Sequence, residues 1–84
     1  MDISLTAKYE LNDIVYTIER NGRNFEPSLP MIVNEIRLRI TQYGTYIICH
    51  LIDGGLTIDF YEKDCYKTYE ECLEVCKQMN EEKV

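Results

Sequence analysis

The sequence predicts a mainly β, α+β domain: a small antiparallel barrel or strongly bent sheet of four to five strands, closed by one C-terminal amphipathic helix. Three observations lead there. Apolar residues recur at about every second position as far as Tyr61 and at about every three to four positions after Cys65, the periods of a strand and of a one-sided helix. Thr68 with Glu71 three residues on is a capping box, in which the threonine oxygen accepts from the Glu71 amide and the glutamate reaches back to the Thr68 amide. Turn signals such as Asn12-Asp13, Asn21-Gly22 and Asp53-Gly54-Gly55 punctuate the strand-like runs, which suits strands joined by tight hairpins.

Taken in order, Ile3, Leu5, Ala7, Tyr9 and Leu11 alternate with polar residues and predict a first strand. A second β pattern, Ile14 to Glu19, ends at Asn21-Gly22, the strongest hairpin signal in the chain. Phe25 to Pro30 holds two prolines within four residues and predicts an irregular or extended surface loop, with Phe25 or Leu29 tucked inward. Met31 to Thr41 predicts a central strand with Ile36, Leu38 and Ile40 on one face and Arg37, Arg39 and Thr41 on the other. Gln42-Tyr43-Gly44 turns the chain into Thr45–Asp53, too apolar around Tyr46-Ile47-Ile48-Cys49 to show its inward face, and Leu56, Ile58 and Phe60 mark the last strand. The helix spans about 68–82, with Tyr69, Cys72, Leu73, Cys76 and Met79 on its apolar stripe.

At 84 residues the chain predicts a single domain over 1–84, with strands within 3–61 and a core too small for a wide stability margin. No repeat, low-complexity tract or linker interrupts it. No segment approaches the roughly 18 apolar residues of a membrane span, and the first residues lack a secretory pattern, so the expectation is a soluble intracellular protein without membrane contact. The net charge of −6 is uneven: residues 1–52 hold six acids and five bases, residues 53–84 nine acids and four bases. That field disfavours unaided binding to nucleic acid and suits solubility or a basic partner surface.

The layout resembles a group of small SH3-like β-barrel proteins of bacteria and their phages, which have a C-terminal helix and mostly no known function. Tyr9, Asn12-Asp13, Val15-Tyr16-Thr17-Ile18 and Tyr66-Lys67-Thr68-Tyr69-Glu70-Glu71-Cys72 carry the resemblance. Tyr69 stands where that group usually has lysine, Cys72 where it has alanine, and the Asn21–Pro30 connection is longer. The resemblance implies an SH3-like fold, a phage or mobile-element setting and the cytoplasm of a bacterial host cell; it implies no common activity.

Candidate chemistry is sparse. Of the four thiols, Cys49, Cys65, Cys72 and Cys76, the last two lie one helical turn apart and Cys49 lies in an apolar strand, so these three sulfurs could converge under the helix. Buried core thiols are the expectation, over a disulfide, a redox pair or a metal site. Cys49-His50 resembles a nucleophile with its base, but neighbours on a strand point to opposite faces, which leaves only Cys65 for His50 to reach. Asp53 and Asp59 resemble an acid–base pair but belong to turn and strand surfaces. Gly54-Gly55 lacks the residues that follow a phosphate loop. No enzyme, cofactor or metal is expected.

Binding is the remaining class. Seven tyrosines exceed a usual share, and exposed tyrosines serve as rigid interface anchors. The expected contact residues are Tyr43, Tyr46 and Tyr61 with Glu70, Glu74 and Glu81, the last three forming an acidic ridge on the helix that Lys77 interrupts. The expected function is a small protein-binding adaptor or inhibitor of a larger host protein. The alternative is nucleic-acid binding through Arg20, Arg23, Arg37 and Arg39, provided the fold makes them neighbours.

Overall fold

In a computed structural model, which describes residues 7–82, the alternating stretches form two antiparallel sheets and a helix. The elements are β1 (Ile14–Val15), β2 (Ile18–Asn21), β3 (Asn24–Pro27), β4 (Met31–Thr41), β5 (Gly44–Asp53), β6 (Leu56–Tyr61), a single 3₁₀ turn (Glu62–Asp64) and α1 (Tyr69–Glu81). A curled sheet has the order β1-β4-β5-β6, and β2-β3 is a separate hairpin. The result is a half-barrel with a closing helix, compatible with an SH3-like arrangement.

The first expected strand is not formed where it is described. Ile3 and Leu5 lie outside the described residues, and Glu10 to Asp13 make a turn, with the Asp13 amide donating to the Glu10 carbonyl at 3.2 Å and Asn12 at φ 74°. Tyr9 turns inward instead, and its buried hydroxyl donates to the Cys65 carbonyl at 2.7 Å. The second β pattern is cut in two. β1 pairs with β4, Tyr16 bridges Tyr66, and β2 leaves to pair with β3. Thr17 sits at the crossing: its amide donates to Ser28 Oγ at 3.0 Å and its carbonyl accepts from the Ser28 amide at 2.7 Å.

The proline-rich segment is also more regular than expected. Phe25, Glu26 and Pro27 belong to β3, with Pro27 at the strand end where its missing N–H breaks no inner ladder. The loop closing β2 to β3 is Gly22-Arg23, one residue later than Asn21-Gly22, and Gly22 takes the positive φ of 64°. Leu29 is not tucked inward but 72% exposed.

β4 changes face midway. Val33 opposes Leu51, but Glu35 opposes His50, so Asn34 is an extra residue. Such a bulge shifts the side-chain parity, which is why Met31 and Val33 point inward before it and Ile36 after it. On β5 the inward set becomes Ile47, Cys49 and Leu51. Tyr9, Val15, Met31, Val33, Cys49, Leu51 and Cys65 form the core, with Ile36 and Phe60 packed on it.

Thr68 caps α1 as expected, accepting from the Glu71 amide at 3.1 Å, while the Glu71 carboxylate reaches the Lys67 amide rather than that of Thr68. The helix packs chiefly on β3, not across the four-stranded sheet. Asn80 fastens it by accepting from the Phe25 amide at 2.8 Å and donating to the Phe25 carbonyl at 3.0 Å. Cys72 and Cys76 are its buried residues.

Two substitutions test this packing. The Thr17 hydroxyl is buried without a partner among the described residues, so Thr17→Val should raise unfolding free energy by roughly 1–3 kcal/mol. Asn80→Ala should lower it by roughly 1–2 kcal/mol through two lost hydrogen bonds. Urea titrations of the three proteins measure both, and a destabilised Thr17→Val protein would contradict the packing described.

Candidate functional site

The helix and the hairpin sit on one side of the molecule's core, so the other face of the four-stranded sheet is open to solvent. The register sorts that face into three zones. Ile14, Ile32 and Ile52 lie side by side at one end, across β1, β4 and β5. Glu35, His50 and Asp59 form the middle row across β4, β5 and β6. Arg39, Tyr46, Ile48 and Tyr61 make up the far end.

The far end stands on an arm, the part of the β4–β5 hairpin that runs beyond the pairing of β1 and, on β5, beyond that of β6. A hydrogen-bonded tip closes it. Thr41 Oγ1 accepts from the Tyr43 amide and donates to the Gly44 carbonyl, both at 3.1 Å, and Gly44 takes φ 146°. Tyr43 therefore projects from the tip, 84% exposed. Behind it the Tyr46 and Tyr61 rings pack at 5.6 Å between centroids, tilted by 46°. Lys63 Nζ lies 5.7 Å from the Tyr61 centroid, within cation–π range. Shallow depressions flank the ring pair, one lined by Arg39, Thr41, Gln42 and Tyr43, another by Thr45, Ile47, Glu62 and Lys63.

The middle row is ionic. Arg37 donates to both Glu35 carboxylate oxygens, at 3.0 and 3.1 Å. The paired guanidinium holds the Glu35 carboxyl below its usual range, and Arg37 is held above its own. The pair is solvent-exposed, so it orients side chains more than it stabilises the fold. His50 Nδ1 contacts Asp59 Oδ1. His50 is thus engaged on the open face, away from Cys65 in the core, and the suggested His50–Cys65 couple is not formed. Asp53 closes the β5–β6 turn opposite Leu56 and does not pair with Asp59.

The thiols do not converge three under the helix. Cys49 meets Cys65 in the main core, and Cys72 meets Cys76 under α1. Cys72 Sγ donates to the Thr17 carbonyl at 3.4 Å and Cys65 Sγ to the Tyr61 carbonyl at 3.6 Å. All four are free and buried. Burial first, and then the neighbouring Cys49 and Cys76 respectively, pushes Cys65 and Cys72 up to about 12 from an ordinary value of 9.0. Burial likewise raises Cys49 and Cys76. Among the described residues no group of three His, Cys, Asp or Glu side chains is placed to hold a metal.

The expected binding residues fall into separate groups. Tyr43, Tyr46, Arg37 and Arg39 share the arm, and Tyr61 packs against it from β6. Arg20 and Arg23 belong to the β2–β3 hairpin, where Arg20 Nε donates to the Gly22 carbonyl at 3.1 Å, so the four arginines do not form one patch. Glu70, Glu74 and Glu81 are exposed on α1, in a different layer from the tyrosines. Sequence reasoning missed the Ile14–Ile32–Ile52 row and the His50–Asp59 contact; both follow from register across strands distant in sequence. Comparison with protein-family models, with curated proteins and with solved structures finds no match. No helix among the described residues is long and apolar enough to cross a membrane.

The protonated thiols make a pH prediction. In the unfolded chain Cys65 and Cys72 ionise near 9 while in the folded chain they resist to about 12, so their contribution to folding stability should be level below pH 9 and fall as pH climbs from 9 toward 12. Urea midpoints across that range measure it. An aromatic disulfide reagent at pH 8 should find almost no reactive thiol before unfolding and four after it; rapid native labelling would overturn the assignment.

Proposed function

We propose that this chain is a non-enzymatic protein-docking module that grips a larger protein with the open face of its sheet. The observation that carries the reading is the ring pair of half-buried Tyr46 and exposed Tyr61 with Tyr43 beyond it at the arm tip. A sheet fixes these rings before contact, so little side-chain entropy is lost on binding, and tyrosine offers both apolar area and a hydroxyl. The Ile14–Ile32–Ile52 row extends the same face with apolar surface of the kind that marks interaction sites.

The resemblance to small phage and bacterial SH3-like proteins favours an inhibitor or adaptor acting in the cytoplasm of a bacterial host. A host protein with a basic groove, such as a defence nuclease in the manner of an anti-CRISPR target, suits the acidic ridge Glu70, Glu74 and Glu81 as a second contact. The nucleic-acid alternative has less behind it. Arg37 is already paired with Glu35, Arg20 and Arg23 stand on another sheet, and a net charge of −6 opposes phosphate.

Affinity capture from host lysate with quantitative mass spectrometry tests the reading. Wild-type protein should enrich one partner, and Tyr43→Ala with Tyr61→Ala should reduce that enrichment at least tenfold without lowering the melting temperature. Reversal of Glu70, Glu74 and Glu81 to lysine should weaken it less and mainly at low salt. Equal enrichment by the tyrosine variant would refute docking through this face. A salt-steep anisotropy signal with single-stranded DNA or RNA would favour the alternative.

A further inference from the structure

A second, independent feature of the arm is its unpaired edge. β1 covers β4 only as far as Val33, whose amide and carbonyl bond to the Asp13 carbonyl at 2.9 Å and the Asn12 amide at 2.8 Å. Beyond the Asn34 bulge, β4 has β5 on one side and, among the described residues, no strand on the other. The two-residue loop makes Thr41 and Gly44 a hydrogen-bonded pair, so by alternation the amides and carbonyls of Ile40, Leu38 and Ile36 point outward. The same residues leave an apolar row on the core-side face: Leu38 is 52% and Ile40 57% exposed, with Ile47 beside Leu38 on β5. Natural edges of this length are usually blunted by charge or cover, and here the charges lie on the opposite face only.

We infer that this edge pairs with the same edge of a second copy, β4 against β4 about a two-fold axis, to form one continuous eight-stranded sheet. An isologous contact demands self-complementarity, and the β4 sequence has it. With Ile36 opposite Leu38 of the partner, outward backbone groups meet outward backbone groups and the apolar rows of the two arms merge. On the other face Glu35 then lies opposite Arg39 of the partner twice over, opposite charges across a strand pair, while Arg37 falls on the axis opposite its own copy, each guanidinium held by the Glu35 of its own strand. The region is also free of repulsive acid, because no Asp or Glu occurs between Glu35 and Asp53 in a chain of net −6. The other free edge, β6, is flanked by Asp59, Glu62 and Asp64, so two copies of it repel. The dimer leaves Tyr43, Tyr46 and Tyr61 exposed and presents them twice, so it goes beyond the docking reading without requiring it.

Sedimentation equilibrium over a wide concentration range tests the pairing. The wild-type chain should pass from monomer to dimer and stop there. Leu38→Lys with Ile40→Lys should stay monomeric throughout while keeping the circular dichroism spectrum and melting temperature of the wild-type monomer. Arg39→Glu should weaken the dimer at least tenfold, and adding Glu35→Arg should restore it, which a general loss of folding cannot mimic. A monomer at every concentration overturns the inference. So does an open-ended series of oligomers, which means β4 on β6 of the next copy. A Leu38→Lys monomer that melts early also overturns it, since the row would then be covered within one chain.

Discussion

The structure depends on one crossing, at Tyr16 and Thr17, where the chain leaves the main sheet and enters the hairpin. Tyr16 and Tyr66 exchange two backbone hydrogen bonds at 2.8 Å, tying the start of the chain to the approach to α1. The Thr17 carbonyl then accepts twice, from the Ser28 amide and from Cys72 Sγ. Sheet, hairpin and helix therefore meet at one peptide. A backbone group buried this deeply must find partners or cost free energy, and each partner it finds fixes the position of another element. The Thr17 hydroxyl, buried and unpartnered, is a residual cost of bringing so much backbone to one place.

That crossing also decides which surface is free. Since β2 and β3 turn away to carry the helix, α1 spends its apolar stripe on the hairpin and on Thr17. An 84-residue chain has little material left for another layer, so one face of the four-stranded sheet meets solvent. Its polarity is graded from aliphatic through ionic to aromatic, while Glu70, Glu74 and Glu81 sit on the helix. The thiols are the converse case: four reactive-looking side chains made inert by burial that keeps them protonated.

Several local signals carry through to the structure, whereas the hairpin loop falls one residue after Asn21-Gly22 and Glu71 bonds to the Lys67 amide instead of closing the capping box. Thr68 caps the helix it was expected to cap, Gly54 and Gly55 turn the chain with positive φ, and Cys72 and Cys76 lie on the buried stripe. Tyr46 and, on the neighbouring strand, Tyr61 meet on one face, since a regular hairpin preserves alternation, and Tyr43 stands at the tip beyond them. Reading failed where a single residue breaks the count. Asn34 inverts the parity of β4, so Met31 and Val33 agree with Ile36 only after the bulge is known. Phe25 to Pro27 reads as loop because proline outweighs pattern in a window so short, yet an edge position costs that proline nothing.

By itself, then, the sequence determined the kinds of element, the hairpin points, the helix with its cap, and the side chains able to anchor a partner, because periodicity, capping and turn chemistry act over a few residues. Only the tertiary structure decided which strands share a sheet, that α1 covers the hairpin instead of the main sheet, that four cysteines pair two and two, and that Arg20 and Arg23 part company with Arg37 and Arg39. Those outcomes turn on hydrogen bonds between residues 55 apart, such as Cys72 to Thr17 and Asn80 to Phe25, and no local preference selects among the partners a buried backbone group can take.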